Sequence, residues 1–331
     1  METLTALIVI FILAIVPMLL YALVLWWMDR YEKEPLGLIL ASFLWGAIPA
    51  IIFSLIAQLV MDIPISAMGP GIGYELVGSS LIAPVTEEIF KGIALFLLLW
   101  RFRREIDTPL DGILYGGLVG FGFATTENFF YFLSAYEMEG LGAALMLAFF
   151  RAVLFGLNHA LFTACTGLGI ALARTSPHRE VRVIAPIMGL LAAMTLHGIH
   201  NFGATLASLT CWSLLISILA DWGGVLALVG LIILFSVRER TYLVRYLDEE
   251  VREGRIPAED YPVICSYWRR VGRRLEVLLR GDLRHWKRLG HYYRVASELA
   301  FAKHRLETVG ADADTRRHIG QLRRDLERLQ R

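Results

Sequence analysis

Charge is scarce in this sequence: Asp, Glu, Lys and Arg make up 19% of its 331 residues, while 56% are hydrophobic. A soluble globular domain carries about a quarter charged residues, so an ordinary water-soluble body is excluded for most of the chain. Cysteine is nearly absent. Cys165, Cys211 and Cys265 are far apart and form neither a disulfide framework nor a Cys-based metal spacing. The start of the chain has no basic cluster ahead of its apolar run, which extends from Leu4 to Met28. That run is too long for the apolar part of a cleavable signal and predicts a first transmembrane helix with Pro17 inside it.

What charge there is falls unevenly. Residues 1–237 hold 10 Lys/Arg and 16 Asp/Glu, a net of −6, whereas residues 238–331 hold 22 and 15, a net of +7. The chain therefore divides into an apolar body, 1–237, and a basic tail, 238–331. A bilayer core of about 30 Å needs roughly 20 apolar residues in a helix. Seven segments of the body are long enough: 4–28, 36–60, 80–100, 110–134, 144–173, 183–207 and 213–236. The expected fold is an all-α, polytopic transmembrane bundle of about seven spans with a C-terminal cytosolic helical tail.

A second absence orients it. The loops 61–79, 135–143 and 208–212 contain no Lys or Arg, whereas the intervening loops carry Arg30 and Lys33, then Arg101, Arg103 and Arg104, then Arg174, Arg179 and Arg182. By the positive-inside rule the N-terminus lies outside and the tail in the cytoplasm. In the tail, segments 238–253, 261–280, 284–309 and 313–331 mix Arg, Glu and Leu at helical spacing. They predict a solvated helical appendage near anionic lipid, or a docking module for a cytosolic partner. No nucleic-acid motif accompanies the positive charge, and no nucleic-acid partner is expected.

An ionisable residue inside a span costs at least a few kcal/mol, so each one calls for a reason. Four spans carry a cluster of ionisable and amide side chains: Glu87, Glu88 and Lys91 in the third, Glu127 and Asn128 in the fourth, Arg151, Asn158 and His159 in the fifth, and His197, His200 and Asn201 in the sixth. At 1.5 Å per residue, Glu88 lies about 12 Å from the outer end of its span, Glu127 and Asn201 about 10 Å, and His197 about 15 Å. His159 comes out deeper, at about 22 Å. Agreement in depth across separate helices predicts one shared site.

The residue types suit hydrolysis of an amide without a Ser or Cys nucleophile. Adjacent glutamates point about 100° apart on a helix. The i,i+4 spacing predicts that Glu87 pairs with Lys91, leaving Glu88 to activate water. Glu127 and His159 would share proton transfer or positioning, and His197 and Asn201 would stabilise an oxyanion. Arg151 is expected as a structural counter-ion. Glutamate chemistry without a metal is the first reading. A zinc ion held by Glu88, His159 and His197 is the alternative, although the HExxH helix of zinc proteases is absent. The same intramembrane Glu/His cluster would also serve an ion-coupled transporter, or sit in a membrane receptor signalling through its tail.

In order along the chain, Asp29-Arg-Tyr-Glu-Lys-Glu34-Pro35, Glu87-Glu88-Ile-Phe-Lys91, Gly120-Phe-Gly-Phe-Ala-Thr-Thr-Glu127-Asn128, Asn158-His159 and His197-Gly-Ile-His200-Asn201 resemble the PrsW family of intramembrane proteases, relatives of the type II CAAX prenyl endopeptidases. Lys91 stands where those relatives carry Arg, which places the likeness on the PrsW side. The resemblance covers roughly 26–207 and implies a multi-pass protease of the bacterial inner membrane. It implies cleavage of a single-pass membrane substrate, an anti-sigma factor in the best-known members, on the extracytoplasmic side. It also implies that the paired glutamates, the third glutamate and the histidines are essential. It says nothing about the tail.

Overall fold

A computed structural model describes residues 2–310 and 313–330, helical throughout and without a strand among them. The chain forms two compact units. One comprises residues up to Trp27, Glu34–Arg174 and Glu180–Gly230, and the other Met28–Lys33, Thr175–Arg179 and Leu231 onward. The division falls a few residues before 238, inside a continuous helix, and the second unit takes in two of the short basic loops.

The first unit contains α1 (Glu2–Met28), α2 (Leu36–Trp45), α3 (Ile51–Ile65), α4 (Ile72–Val77), α5 (Ala83–Arg101), α6 (Pro109–Glu139), α7 (Leu141–Ala148), α8 (Asn158–Thr175), most of α9 (Arg179–Leu206) and the first part of α10 (Leu214–Arg252). Five stretches are long and apolar enough to cross a bilayer: Thr3–Met28, Leu36–Met68, Leu141–Thr175, Arg179–Leu206 and Cys211–Arg252. The remaining two of the seven expected spans, α5 and α6, are helices of 19 and 31 residues. What sets them apart is composition: α5 carries Glu87, Glu88 and Lys91, and α6 carries Asp111, Glu127 and a run of glycines. The outer helices show the reverse of a soluble protein, with Leu4, Phe11, Leu20 and Leu23 of α1 and Leu219 and Leu226 of α10 exposed. A surface of this kind is stable only against lipid or another apolar partner.

α6 is the central element, buried nearly all round from Leu110 to Thr125. It starts on a capping box, in which Thr108 accepts from the Asp111 amide and Asp111 accepts from the Thr108 amide at 2.7 Å. Three glycines four residues apart let α8 approach it. A Cβ on Gly112, Gly116 or Gly120 would lie 2.2, 2.6 or 2.2 Å from the carbonyl oxygens of Gly167, Thr163 and His159 respectively. This is the small-residue packing that lets membrane helices meet backbone to backbone. Its functional consequence is local: Gly120 seats the His159 backbone against the helix that carries Glu127, two turns further on.

Three π-helical turns interrupt the ladders, at Gly46–Ala50, Gly78–Ile82 and Phe149–Leu154. The first contains Pro49 and the second precedes Pro84; proline lacks the N–H that would continue a regular ladder. The third runs into a break before α8 begins at Asn158. The chain from Leu141 to Thr175 is therefore not one straight helix, and a depth counted at 1.5 Å per residue does not apply to His159. The structure brings it to Glu127, with Nε2 2.7 Å from Oε2.

The second unit has a core of its own. Leu243 and Leu247 of α10 pack with Ile264 of α11 (Tyr261–Ile264), Leu299 and Phe301 of α13 (Leu283–Val309) and Leu326 of α14 (Ala313–Gln330). The amphipathic segments expected in the tail are helices, the second divided at Cys265–Ser266 into α11 and α12 (Tyr267–Leu279). The expected helical appendage thus has a packed core of its own.

Candidate active site

The site grows from Lys91, which is wholly buried on α5. An ammonium has three N–H donors and no acceptor. Here all three find partners: Glu88 Oε1 at 2.8 Å, Glu87 Oε2 at 3.3 Å and His159 Nδ1 at 3.1 Å. The ammonium also lies 3.8 Å from the centre of the Phe123 ring. This is how three intramembrane charges coexist, since a buried charge is tolerable only when paired and hydrogen-bonded.

Both glutamates reach Lys91, Glu87 in the expected i,i+4 pair and Glu88 in an i,i+3 pair. Glu88 is fully buried and closed in from three sides: by Lys91, by Thr163, whose hydroxyl donates to Oε2 at 3.1 Å, and by His197, whose Nδ1 lies 3.0 Å from Oε1. Glu87 has the longer contact to Lys91, accepts from Gln58 at 3.2 Å and lines the cavity. The i,i+4 pair forms, but i,i+3 brings Glu88 closer to the same ammonium, and α8 and α9 enclose Glu88 more fully than Glu87. For the same reason the acidic member of the metal-ligand group is Glu87, not Glu88. Donor atoms of Glu87, His159 and His197 lie within 4.8 Å of one another.

The hydrogen-bond pattern fixes the histidine tautomers. An ionised carboxylate only accepts, so His197 carries its proton on Nδ1, toward Glu88. Its Nε2 faces Glu87 Oε2 at 3.8 Å. Lys91 only donates, so His159 Nδ1 is the unprotonated nitrogen and Nε2–H donates to Glu127. Each imidazole is thus braced by a carboxylate that is not itself in the ligand group. The Phe162 ring stacks on His197 at 4.9 Å and packs edge-on against His159 at 6.0 Å, which limits the motion of both.

A cavity of about 680 Å³ opens beside this cluster. Glu87, Glu127, Arg151, His159, His200 and Asn201 provide its polar wall, and Ile51, Leu55, Phe123 and Phe130 its apolar wall. Arg151 donates to Glu127 Oε2 at 2.6 Å and to Asn128 at 2.9 Å, with its guanidinium 3.9 Å from the Tyr131 ring centre. Asn201 donates to the Ser79 carbonyl at 2.8 Å. His197 is 2% exposed and is not among the residues lining the cavity, a poor placement for an oxyanion donor.

Motif reading passes over Asp221. This carboxylate of α10 is 1% exposed and accepts from Asn158 at 2.9 Å and from His200 Nδ1 at 2.7 Å. A signal for it is present: a lone acid in the apolar run 213–236 obeys the same rule that exposes Glu87. Gln58 and Thr163 carry no comparable signal, because neutral polar residues are common in membrane helices.

Comparison with known proteins identifies the family. Residues 34–237 match the model of a family described as PrsW family intramembrane metalloprotease. The chain is 28% identical to Protease PrsW of Clostridioides difficile (strain 630) over 228 residues, covering 69% of this chain and 87% of the relative. It is 31% identical to Protease PrsW of Bacillus subtilis (strain 168) over 185 residues, covering 56% and 76%. With Protease PrsW of Geobacillus kaustophilus (strain HTA426) it shares 29% over 175 residues, covering 53% and 70%. No solved structure matches. Because these relatives are proteases, the transporter and receptor readings are set aside. A family match over more than half of a multi-helix apolar chain places the protein: it belongs to the PrsW family of intramembrane metalloproteases.

Proposed function

We propose that the cavity receives a segment of a single-pass membrane protein, and that Glu87, His159 and His197 hold a zinc-class ion beside its scissile bond. One observation carries this reading: a carboxylate and two imidazoles from three different helices bring their donor atoms within 4.8 Å of each other. The donor set, one oxygen and two nitrogens, is that of a catalytic zinc site with an open position. When bound, such an ion acidifies water and polarises the carbonyl.

The remaining steps fall to the protein's own groups. Glu88 holds the proton of His197 on Nδ1 and Glu127 that of His159 on Nε2, so His197 Nε2 and His159 Nδ1 carry no proton. Glu127, on the cavity wall, is placed to take a proton from the attacking water. The carbonyl oxygen of the substrate meets N–H donors of Arg151 and Asn201. As the C–O bond from water forms and the C–N bond breaks, the proton that Glu127 took from the water passes to the leaving nitrogen, relayed by His200 Nε2, whose ring is held through Nδ1 by Asp221. Cleavage is assigned to the extracytoplasmic side. Ser79, Ala204 and Thr205 line the cavity next to the loops that lack Lys and Arg, and the tail, following an inward-ending span, is cytoplasmic.

A second reading keeps the same residues without a metal. It is favoured by Lys91, whose ammonium already neutralises Glu87 and Glu88 and occupies the free nitrogen of His159. Purified full-length protein in lipid, offered single-pass peptides, tests the residue assignment shared by both. Glu87→Gln and His159→Ala are expected to abolish cleavage, with products mapping to the side of the Lys/Arg-free loops. Wild-type cleavage by both variants would overturn the assignment.

A further inference from the structure

The tail unit contains a second cavity, of about 580 Å³, outside the region that matches the family. Arg30, Lys33, Arg270, Arg274, Lys287 and Arg294 line it, and neither Asp nor Glu does. So one-sided a concentration of positive charge repels itself, and surface cations usually relieve this by pairing. Lys33 donates to the Asp29 carbonyl, and aromatic rings stand beside three of the guanidinium groups. Arg274 lies 4.3 Å from the Trp286 ring centre, Arg30 lies 5.6 Å from that of Tyr267, and Arg270 lies 5.2 and 5.5 Å from those of Tyr31 and Tyr293.

Arg270 is the sharpest case. It is 5% exposed, and its three hydrogen bonds go to the Ile264 and Tyr31 carbonyls and the Ser297 hydroxyl, all neutral acceptors. Burial lowers its guanidinium to about 10, which still leaves it charged at neutral pH. Arg274 adds a buried Nε–H with no hydrogen-bond partner. A buried, rigidly held guanidinium with no carboxylate hydrogen-bonded to it is an expensive feature unless an anion completes it.

The rim of this cavity is apolar. Along α12, Trp268, Val271, Leu275 and Leu278 recur at three- and four-residue spacing and are exposed, and the last three line the cavity. Leu279 and Leu283 extend the exposed stripe. A helix with exposed Leu and Trp on one side and Arg on the other has the composition of a helix that lies in a membrane interface. The chain enters this unit directly from the apolar stretch ending at Met28 and again along α10.

We propose that this cavity binds the phosphodiester headgroup of an anionic phospholipid, with the α12 stripe against its acyl chains. Guanidinium groups are suited to phosphate by charge and by their fork of donors. The apolar stripe distinguishes a lipid from a soluble phosphate compound.

The test uses the full-length protein in neutral detergent, titrated with short-chain phosphatidylglycerol, short-chain phosphatidylcholine, or glycerol 3-phosphate, and read by native mass spectrometry. Phosphatidylglycerol should bind at least about tenfold more tightly than either of the others. A basic residue near an anionic lipid surface is worth roughly fivefold in affinity. Arg274→Gln, Lys287→Gln and Arg294→Gln together should therefore weaken binding about a hundredfold, and Lys287→Gln alone, at an exposed position that folding does not need, about fivefold. A control removing the exposed Arg316, Arg317 and Arg324 of α14 as Gln should change it less than twofold. Equal losses in the control would replace the site with diffuse surface charge. Glycerol 3-phosphate binding as tightly as the lipid would make the ligand soluble. Equal binding of phosphatidylcholine would remove the anionic requirement. Each of these outcomes overturns the proposal.

Discussion

Glu88 in the membrane bundle and Glu250 in the tail unit are both wholly buried carboxylates surrounded by cations. Glu250 is met by Arg255 at 2.5 Å, Lys303 at 2.8 Å and Arg323 at 2.7 Å, and it lines neither of the two cavities described above. Glu88 has a single cation, Lys91, which it shares with Glu87 and His159, and the rest of its hydrogen bonding goes to Thr163 and His197. The Glu250 cluster is saturated with donors and closed. The Glu87–Glu88 cluster has more acceptors than its cation can fill, and it ends on a cavity wall. Burial and charge alone therefore do not separate architecture from chemistry. The separation comes from a carboxylate, Glu87, that stands beside accessible space.

That contrast can be broken by substitution. The largest effect is expected at Glu87, which faces the cavity. Glu87→Gln should lower kcat/KM for a membrane-embedded peptide by about a thousandfold or more, as removal of a zinc ligand or of a general base does. Glu88→Gln should cost about 10- to 100-fold, because Glu88 acts through His197 rather than on substrate. A larger loss at Glu88 than at Glu87, in well-folded protein, would restore the opposite assignment. Asp221→Asn should lower kcat about tenfold with KM nearly unchanged, since it leaves His200 in place without the carboxylate that orients it. Glu250→Gln should leave the cleavage rate per folded molecule unchanged. It should destabilise the protein by about 3–5 kcal/mol in thermal or denaturant unfolding, because it strands buried cations. Loss of activity without loss of stability in that variant would erase the distinction between the two clusters.

The same contrast shows what a sequence can and cannot reveal. Sparse charge and alternating basic loops indicate a helical membrane protein, and the cost of ionisable groups in apolar runs picks out Glu87, Glu88, Glu127, His159 and His197. The structure gathers all five. Which glutamate faces the cavity is not legible, because i,i+3 and i,i+4 both reach Lys91 and the choice is made by Thr163 and His197 on other helices. The depth of His159 is misread because a π-helical turn and a break precede it. The tail reads as amphipathic segments, but amphipathicity does not say whether the apolar faces meet each other. Here Leu243, Leu247, Leu299 and Leu326 do, whereas Trp268, Leu275 and Leu279 remain exposed.

The central claim is that Glu87, His159 and His197 together hold a divalent ion that cleavage requires. It is tested most directly by metal analysis of purified full-length protein, paired with a cleavage assay after strong chelation and after zinc is restored. The account predicts about one zinc per wild-type chain, much less in Glu87→Gln and His197→Ala, and activity that is lost on chelation and returns with zinc. Full activity in metal-free protein would contradict it and leave Lys91 as the cation around which the site works.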